Sequence, residues 1–249
     1  IHCVACDRQG NIWVGSDGGL SKFNGANWVT YTSADGLVHD DVQAVAFDSA
    51  GNAWIGTYNG VSQFDGTNWT SYQYSDTTSN SLIHNNVISV SVDKRGHKWF
   101  GTLGFGVDEF YRNTDTTVLW HQYLWPGNYE PYEKAFCVGT DSVGIVWIGT
   151  FTDGVSRYDG NSWVTYTKPN SGNNGLADYS VPALTFDSQN NKWFGTYNGI
   201  SKFDGTNWTT YSTDNGLTNN FITALAFDKN GYLWVGTNGG GASHCNFRQ

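Results

Sequence analysis

The sequence predicts an all-β chain assembled from six copies of one unit, and three observations carry that expectation. A Trp-x-Gly-Thr motif, complete at Trp54, Ile55, Gly56 and Thr57, returns at Trp13 (with Ser16 for the Thr), Trp99, Trp147, Trp193 and Trp234, at intervals of 41, 45, 48, 46 and 41 residues. Periods of that length mark propellers or solenoids. The runs flanking each motif are short and alternate apolar with polar residues, without helical periodicity. Asn-Gly or Asp-Gly dipeptides, at Asn24, Asp65, Asp159 and Asp204, separate neighbouring runs, and such dipeptides call for antiparallel hairpins rather than the parallel coils of a solenoid. The combination predicts a six-bladed β-propeller of four-stranded antiparallel blades.

Each unit opens with a strand ending in Asp, as in Val42 to Asp48. Aligned on that Asp, one strand face carries Cys3, Ala44, Ser89, Cys137, Ala183 and Ala224, all small, so a close neighbour is expected there. Pro182 falls in this strand in the fifth unit, where a ladder N–H cannot be needed, which predicts an edge position lining a channel. The Asp then begins an Asp-x-x-Gly turn whose glycine supplies a positive φ and whose carboxylate accepts backbone N–H bonds. Asn190 replaces the glycine in unit five, and Asn is the next most tolerant residue in the left-handed region.

The second strand is the Trp-x-Gly-Thr run, in which Trp and Gly share a face and the glycine leaves room for a neighbour. The third, such as Gly60 to Phe64, leads into the hairpin. A fourth strand reads Trp-x-x-Tyr at Trp28, Trp69, Trp120, Trp163 and Trp208, and the last unit lacks it. The expectation is one propeller domain over 1-249, with blades at about 1-32, 42-74, 87-124, 135-167, 181-212 and 222-249 and the last blade without its outer strand. A chain of this size buries roughly 75% of its unfolded surface and needs no metal or disulfide to fold.

The pattern running from Tyr31 and Thr32 through Asp35, Gly36, Leu37, Val42 to Asp48, Gly51, Asn52, Trp54 to Thr57 and Phe64, Asp65, Gly66 resembles the two-component regulator propeller repeat, and the resemblance extends over essentially the whole chain. It implies a sensing or binding module of the kind found in extracytoplasmic sensor regions of hybrid histidine kinases and in secreted proteins. It brings no catalytic motif.

Composition narrows the function classes. With 13 Lys and Arg against 22 Asp and Glu the chain carries a formal charge of −9, which repels nucleic acid and anionic membrane surfaces. No apolar run reaches the ~20 residues of a membrane span. The absence of methionine predicts a processed or excerpted chain, with flanking domains possible. No cofactor or metal is expected: His39 and His84 lack the spacing of a metal motif.

The candidate binding residues lie in the loops least bound by the repeat. His39 and His84 occupy equivalent lip positions before the first strands, beside Asp40, Asp41, Asn85 and Asn86, and Tyr58, Phe105, Phe151 and Tyr197 sit in the turns after Trp-x-Gly-Thr. Of the 12 tryptophans, Trp125 alone is not required by either motif, and it shares its loop with Tyr129, Glu130, Tyr132 and Glu133. Aromatic faces for stacking and carboxylates for hydroxyl hydrogen bonds suit a sugar. The expected main contact is therefore Trp125, Tyr129 and Tyr132, facing Phe105 and the His84 lip. The leading expectation is a non-catalytic propeller that recognises a glycan or a protein partner, extracellular or periplasmic. The alternative is a secreted hydrolase or lyase acting on polysaccharide through carboxylates of the same loops. Finally, Cys245 and Cys6 stand where other units carry a large aromatic, which predicts a disulfide between them, with Cys3 as the alternative partner and Cys137 free.

Overall fold

A computed structural model describes residues 1–112, 117–124, 134–169 and 175–247. Its strands form six antiparallel sheets, the blades of a six-bladed β-propeller, five with four strands and the last with three. No α-helix occurs among the described residues. Blade one comprises β1 (Cys3–Cys6), β2 (Ile12–Ser16), β3 (Gly19–Phe23) and β4 (Trp28–Tyr31), and blade two β5 (Val42–Phe47), β6 (Ala53–Thr57), β7 (Gly60–Phe64) and β8 (Trp69–Tyr72). Blade three comprises β9 (Val87–Val92), β10 (Lys98–Thr102), β11 (Gly106–Arg112) and β12 (Val118–Leu124), and blade four β13 (Ala135–Thr140), β14 (Val146–Thr150), β15 (Val155–Tyr158) and β16 (Trp163–Tyr166). Blade five comprises β17 (Ala183–Phe186), β18 (Lys192–Thr196), β19 (Gly199–Phe203) and β20 (Trp208–Tyr211), and blade six β21 (Ile222–Phe227), β22 (Leu233–Thr237) and β23 (Gly241–Cys245). The chain divides into two compact units, Ile1–Ala135 and Phe136–Gln249.

In every blade the strand before the Trp motif is a sheet edge. The fifth blade's first strand begins at Ala183, just after Pro182, because proline has no N–H to give the ladder. The small residues of the first strands pair across the sheet with the motif glycines: Cys3 with Gly15, Ala44 with Gly56, Ser89 with Gly101, Ala183 with Gly195 and Ala224 with Gly236. The crowding they relieve comes from the next blade. A Cβ on Gly56 would lie 2.8 Å from Val87 Cγ1 and 2.9 Å from the Val87 carbonyl oxygen, and one on Gly149 would lie 2.4 Å from the Val181 carbonyl oxygen.

The Asp-x-x-Gly turns form as the residue types predict. Asp48 Oδ1 accepts from the N–H groups of Ala50 and Asn52, both at 3.0 Å, and Oδ2 accepts from Trp54 Nε1 at 3.0 Å. The same bond from the motif tryptophan reaches Asp7, Asp141 and Asp187. Asn190 takes the glycine's place at φ 64°. Asp and Trp of the repeat are thus one unit of structure, a capped turn whose carboxylate also satisfies a buried indole.

The core is a series of interblade aromatic clusters. Trp54 is stacked by Tyr72 of its own blade at 5.9 Å and meets Phe110 of the next at 4.9 Å. Trp147 is stacked by Tyr166 and packs on Phe194 and Phe203 of blade five. In the last blade Cys245 sits where a Phe would stand, and Phe247 supplies the ring instead, 5.1 Å from Trp193 and 4.3 Å from Tyr211.

That substitution bears on the expected disulfide. All four cysteines are free thiols, with Cys3 and Cys6 in the first compact unit and Cys245 in the second. Cys245 packs against the apolar cluster of Trp193, Ile200 and Leu233, whereas Cys6 is exposed on β1. Burial pushes the Cys3 thiol up to about 11 and the Cys137 thiol up to about 12, and it also raises Cys245. Because the thiolate is the reactive form, a thiol reagent at pH 8 should titrate Cys6 promptly in the folded protein and the other three only after denaturation. Two thiols missing from the denatured, unreduced count would instead reveal a bond.

Candidate functional site

The turns between the second and third strands of a blade and the connections that lead into its first strand lie at the same end of each sheet, and this end carries the residues that break the repeat. Its backbone is tightly built. Asp40 Oδ1 accepts from Ser33 N–H at 2.6 Å, Asn85 Oδ1 from Tyr74 N–H at 2.6 Å and Asn220 Oδ1 from Thr213 N–H at 2.8 Å. These three side chains brace their own connections. The residue before each is also engaged, since His39 Nδ1, His84 Nδ1 and Asn219 Oδ1 accept from the N–H two positions on, as Asp178 Oδ1 does in the connection to blade five.

What remains for a ligand is the outer edge and face of each lip. In the first unit His39 lies 5.8 Å from the ring of Tyr58, which is 57% exposed, and His84 lies 5.2 Å from Phe105, which is 43% exposed. The two pairs occupy the same place in successive blades. Burial holds the His84 imidazole below its usual value, which keeps Nδ1 an acceptor for the Asn86 N–H at 3.1 Å. Asn86 itself is 7% exposed, and its Oδ1 is a buried acceptor with no hydrogen-bond partner.

In the second unit the aromatic residues join into a run. Phe136 meets Phe151 edge-on at 5.5 Å, Phe151 meets Tyr197 edge-on at 6.5 Å, and Tyr197 stacks on Phe221 at 3.9 Å. Burial raises the Tyr197 hydroxyl's pKa, with the Asp178 carboxylate adding to it. Beside the run, a cleft of about 490 Å³ is lined by Lys168, Leu176, Asn198, Thr210 and Asn220. Lys168 and Asp178 approach within 3.9 Å across its margin.

Of the sequence-derived site residues, His39 with Tyr58 and His84 with Phe105 are brought together as pairs, and Tyr197 is placed in the aromatic run. Trp125, Tyr129 and Tyr132, with Glu130 and Glu133, lie outside the described residues. Sequence reasoning missed Phe136 and Phe221. For Phe136 the available signal was the column just before the small residue of the first strand, which reads His2, Gln43, Ile88, Phe136, Pro182 and Thr223; Phe221 lies outside it. In blades two, three and six the register shifts at this position, and such irregularities re-aim a side chain at the rim of a sheet.

The six antiparallel blades define a β-propeller, and the comparisons with known proteins agree with the fold. Residues 1–18, 36–59 and 216–239 match the two component regulator propeller family. Among curated proteins none matches the sequence. The extracellular domain of the putative hybrid two component system BT4673 from B. thetaiotaomicron is 20% identical with a TM-score of 0.69, covering 100% of this chain and 38% of that one. PorZ, a bacterial surface component of the type-IX secretion system of Porphyromonas gingivalis, is 20% identical with a TM-score of 0.71, covering 97% of this chain and 37% of that one. Virginiamycin B lyase from Staphylococcus aureus is 14% identical with a TM-score of 0.69, covering 99% of this chain and 84% of that one. At these identities the likeness is one of fold. The chain thus spans well under half the length of the first of these relatives. No helix among the described residues is long and apolar enough to cross a membrane.

Proposed function

We propose that this propeller is a non-catalytic sensing module acting outside the cytoplasm, and that its lip face recognises a glycan. The observation that carries the reading is the run of Phe136, Phe151, Tyr197 and Phe221, with ring centroids 3.9 to 6.5 Å apart, beside a polar cleft. Sugar rings offer apolar C–H faces to aromatic planes and hydroxyls to amide and carboxylate groups, so a surface that alternates the two fits them. The repeats matched here occur in sensor propellers, and two of the similar structures are bacterial surface or extracellular domains, which supports placement outside the cytoplasm.

The test is an oligosaccharide array followed by calorimetry on each hit. Tyr197→Ala and Phe221→Ala should each weaken binding by about tenfold or more, the loss of one stacking contact and its buried area, with circular dichroism checking that each variant keeps the fold. Hits whose affinity survives both substitutions would place the ligand elsewhere. An array without hits, together with capture of a purified surface protein, would favour a protein partner.

A further inference from the structure

At the lip of the first unit, apart from the aromatic pairs, three side chains from three different segments converge. His2 stands one residue before β1, Asp17 lies in the turn between β2 and β3, and Asp41 precedes β5. His2 Nε2 lies 2.6 Å from Asp17 Oδ1 and 3.5 Å from Asp41 Oδ1, and one donor atom from each residue falls within 4.8 Å of the other two. Nothing in the repeat requires this set. The columns that hold His2 and Asp17 read Gln43 and Tyr58 in blade two, so the cluster belongs to the seam of the first two blades alone.

We propose that His2, Asp17 and Asp41 form a binding site for a transition-metal dication of the zinc type, with one position left open. One imidazole nitrogen and two carboxylate oxygens are the mixed donor set that such ions take, whereas calcium and magnesium prefer oxygen alone. Ligands at about 2.1 Å from a tetrahedral ion stand about 3.4 Å apart, and the 3.5 Å between His2 Nε2 and Asp41 Oδ1 already meets that spacing. The direct His2 to Asp17 hydrogen bond is shorter and has to open by under 1 Å as the metal replaces the shared proton. Asp17 can make that movement, since its side chain is 82% exposed on a turn.

Asp41 is the fixed point. Its N–H donates to His39 Nδ1 at 3.1 Å, its carbonyl accepts from Tyr58 N–H at 3.0 Å, and its Oδ1 accepts from Gln43 Nε2. An outer partner that orients a ligating carboxylate is a recurring part of metal sites, and Gln43 holds that place here. The aromatic lip therefore carries a neighbouring site of different chemistry, one through which a ligand's oxygen or carboxylate could complete the coordination of a bound ion.

The experiment uses untagged protein freed of metal with chelator and titrated with Zn²⁺, Co²⁺, Ca²⁺ and Mg²⁺ in turn. One equivalent of Zn²⁺ is expected to bind saturably and to raise the melting temperature, and Co²⁺ is expected to develop the visible absorption of a low-coordinate site. His2→Ala and Asp41→Asn should each weaken Zn²⁺ by at least about tenfold and abolish the Co²⁺ band, and Gln43→Ala should weaken Zn²⁺ by about tenfold while keeping the stoichiometry at one. Circular dichroism of each variant checks that the fold is retained, and because His2 and Asp17 are surface residues a second pair, Asp17→Asn with His2→Gln, repeats the test with near-isosteric side chains. The proposal is overturned if Zn²⁺ fails to saturate, if the folded variants bind it as well as the parent, or if Ca²⁺ or Mg²⁺ binds as tightly.

Discussion

Replacing Asp48 with alanine should lower the unfolding free energy by about 3–4 kcal/mol and the melting temperature by roughly 6–16 °C. The size follows from what one carboxylate holds. Its Oδ1 caps the turn through Ala50 and Asn52, and its Oδ2 takes bonds from Asn52 Nδ2 and from the indole of Trp54, a side chain 2% exposed. Without the acceptor, a buried N–H is left unpaired at about 1–3 kcal/mol. Lys98, whose ammonium lies 3.6 Å from Asp48 Oδ2 and 4.8 Å over the Trp54 ring, loses its counter-charge as well. Asp48→Asn keeps one oxygen for the turn but presents an NH2 group where the indole donates, or the reverse, and should fall between parent and alanine variant. Burial works to raise this carboxyl, and the bonds from Trp54 and Asn52 outweigh it, so the group sits below its ordinary value. Its contribution is accordingly complete above pH ~4, the ordinary carboxylate value, and is lost as the pH falls through the depressed folded value. Chemical denaturation of the three proteins at pH 7 and at pH 3 checks both parts, and an alanine variant as stable as the parent would remove the turn from the account of the core.

Asp108 should behave in the opposite sense. It is fully buried on β11 at the position where the other blades carry Ser62, Ser201 and Ser243. Those serines accept a loop N–H, as Ser62 does from Val38 at 2.8 Å, and Asp108 accepts from Ile83 N–H with both oxygens at 3.1 Å. Burial drives its carboxyl well above the ordinary value, against a smaller lowering by that bond. A raised folded pKa gives a contribution that is whole below the unfolded value and disappears as the pH rises through the folded one. Asp108→Asn, which keeps the shape and cannot ionise, should match the parent near pH 4 and exceed it by about 1–3 kcal/mol at pH 8. Melting temperatures of both proteins across that range decide it; parallel curves would mean the parent's carboxyl is ionised without penalty.

Most of the fold was legible because the repeat states each constraint several times. The glycine at position three of the Trp motif, the small residue paired with it and the Asp that caps the turn each recur in nearly every unit, and each answers to one contact: the next blade's carbonyl, the cross-strand neighbour, the buried indole. The ring that fills the place of the missing Phe in the last blade, Phe247, was not legible because it lies two positions beyond Cys245, off the strand pattern. The site was less legible for the opposite reason. Residues such as Phe136, Phe221 and His2 occur once, and their partners come from turns 15 or more residues away, so no spacing within a single unit points to them. His39 and Asp40 looked like ligand-facing lip residues in sequence. Much of their polar capacity closes the loop backbone instead, which only the traced connections reveal.

The glycine against the neighbouring strand has a consequence for the history of such chains. Gly56 meets Val87 of the following blade, and Gly149 meets Val181 of its own follower, through the same backbone carbonyl, although the intervening residues differ. Part of the seam is thus main chain facing an absent side chain, with a compact β-branched residue such as Val87 or Ile222 packing beside it. Each unit reads only its immediate neighbour. A unit that keeps this glycine and a compact residue at the facing place can therefore be duplicated or lost with little change at the seam, leaving the lip residues free to change one blade at a time.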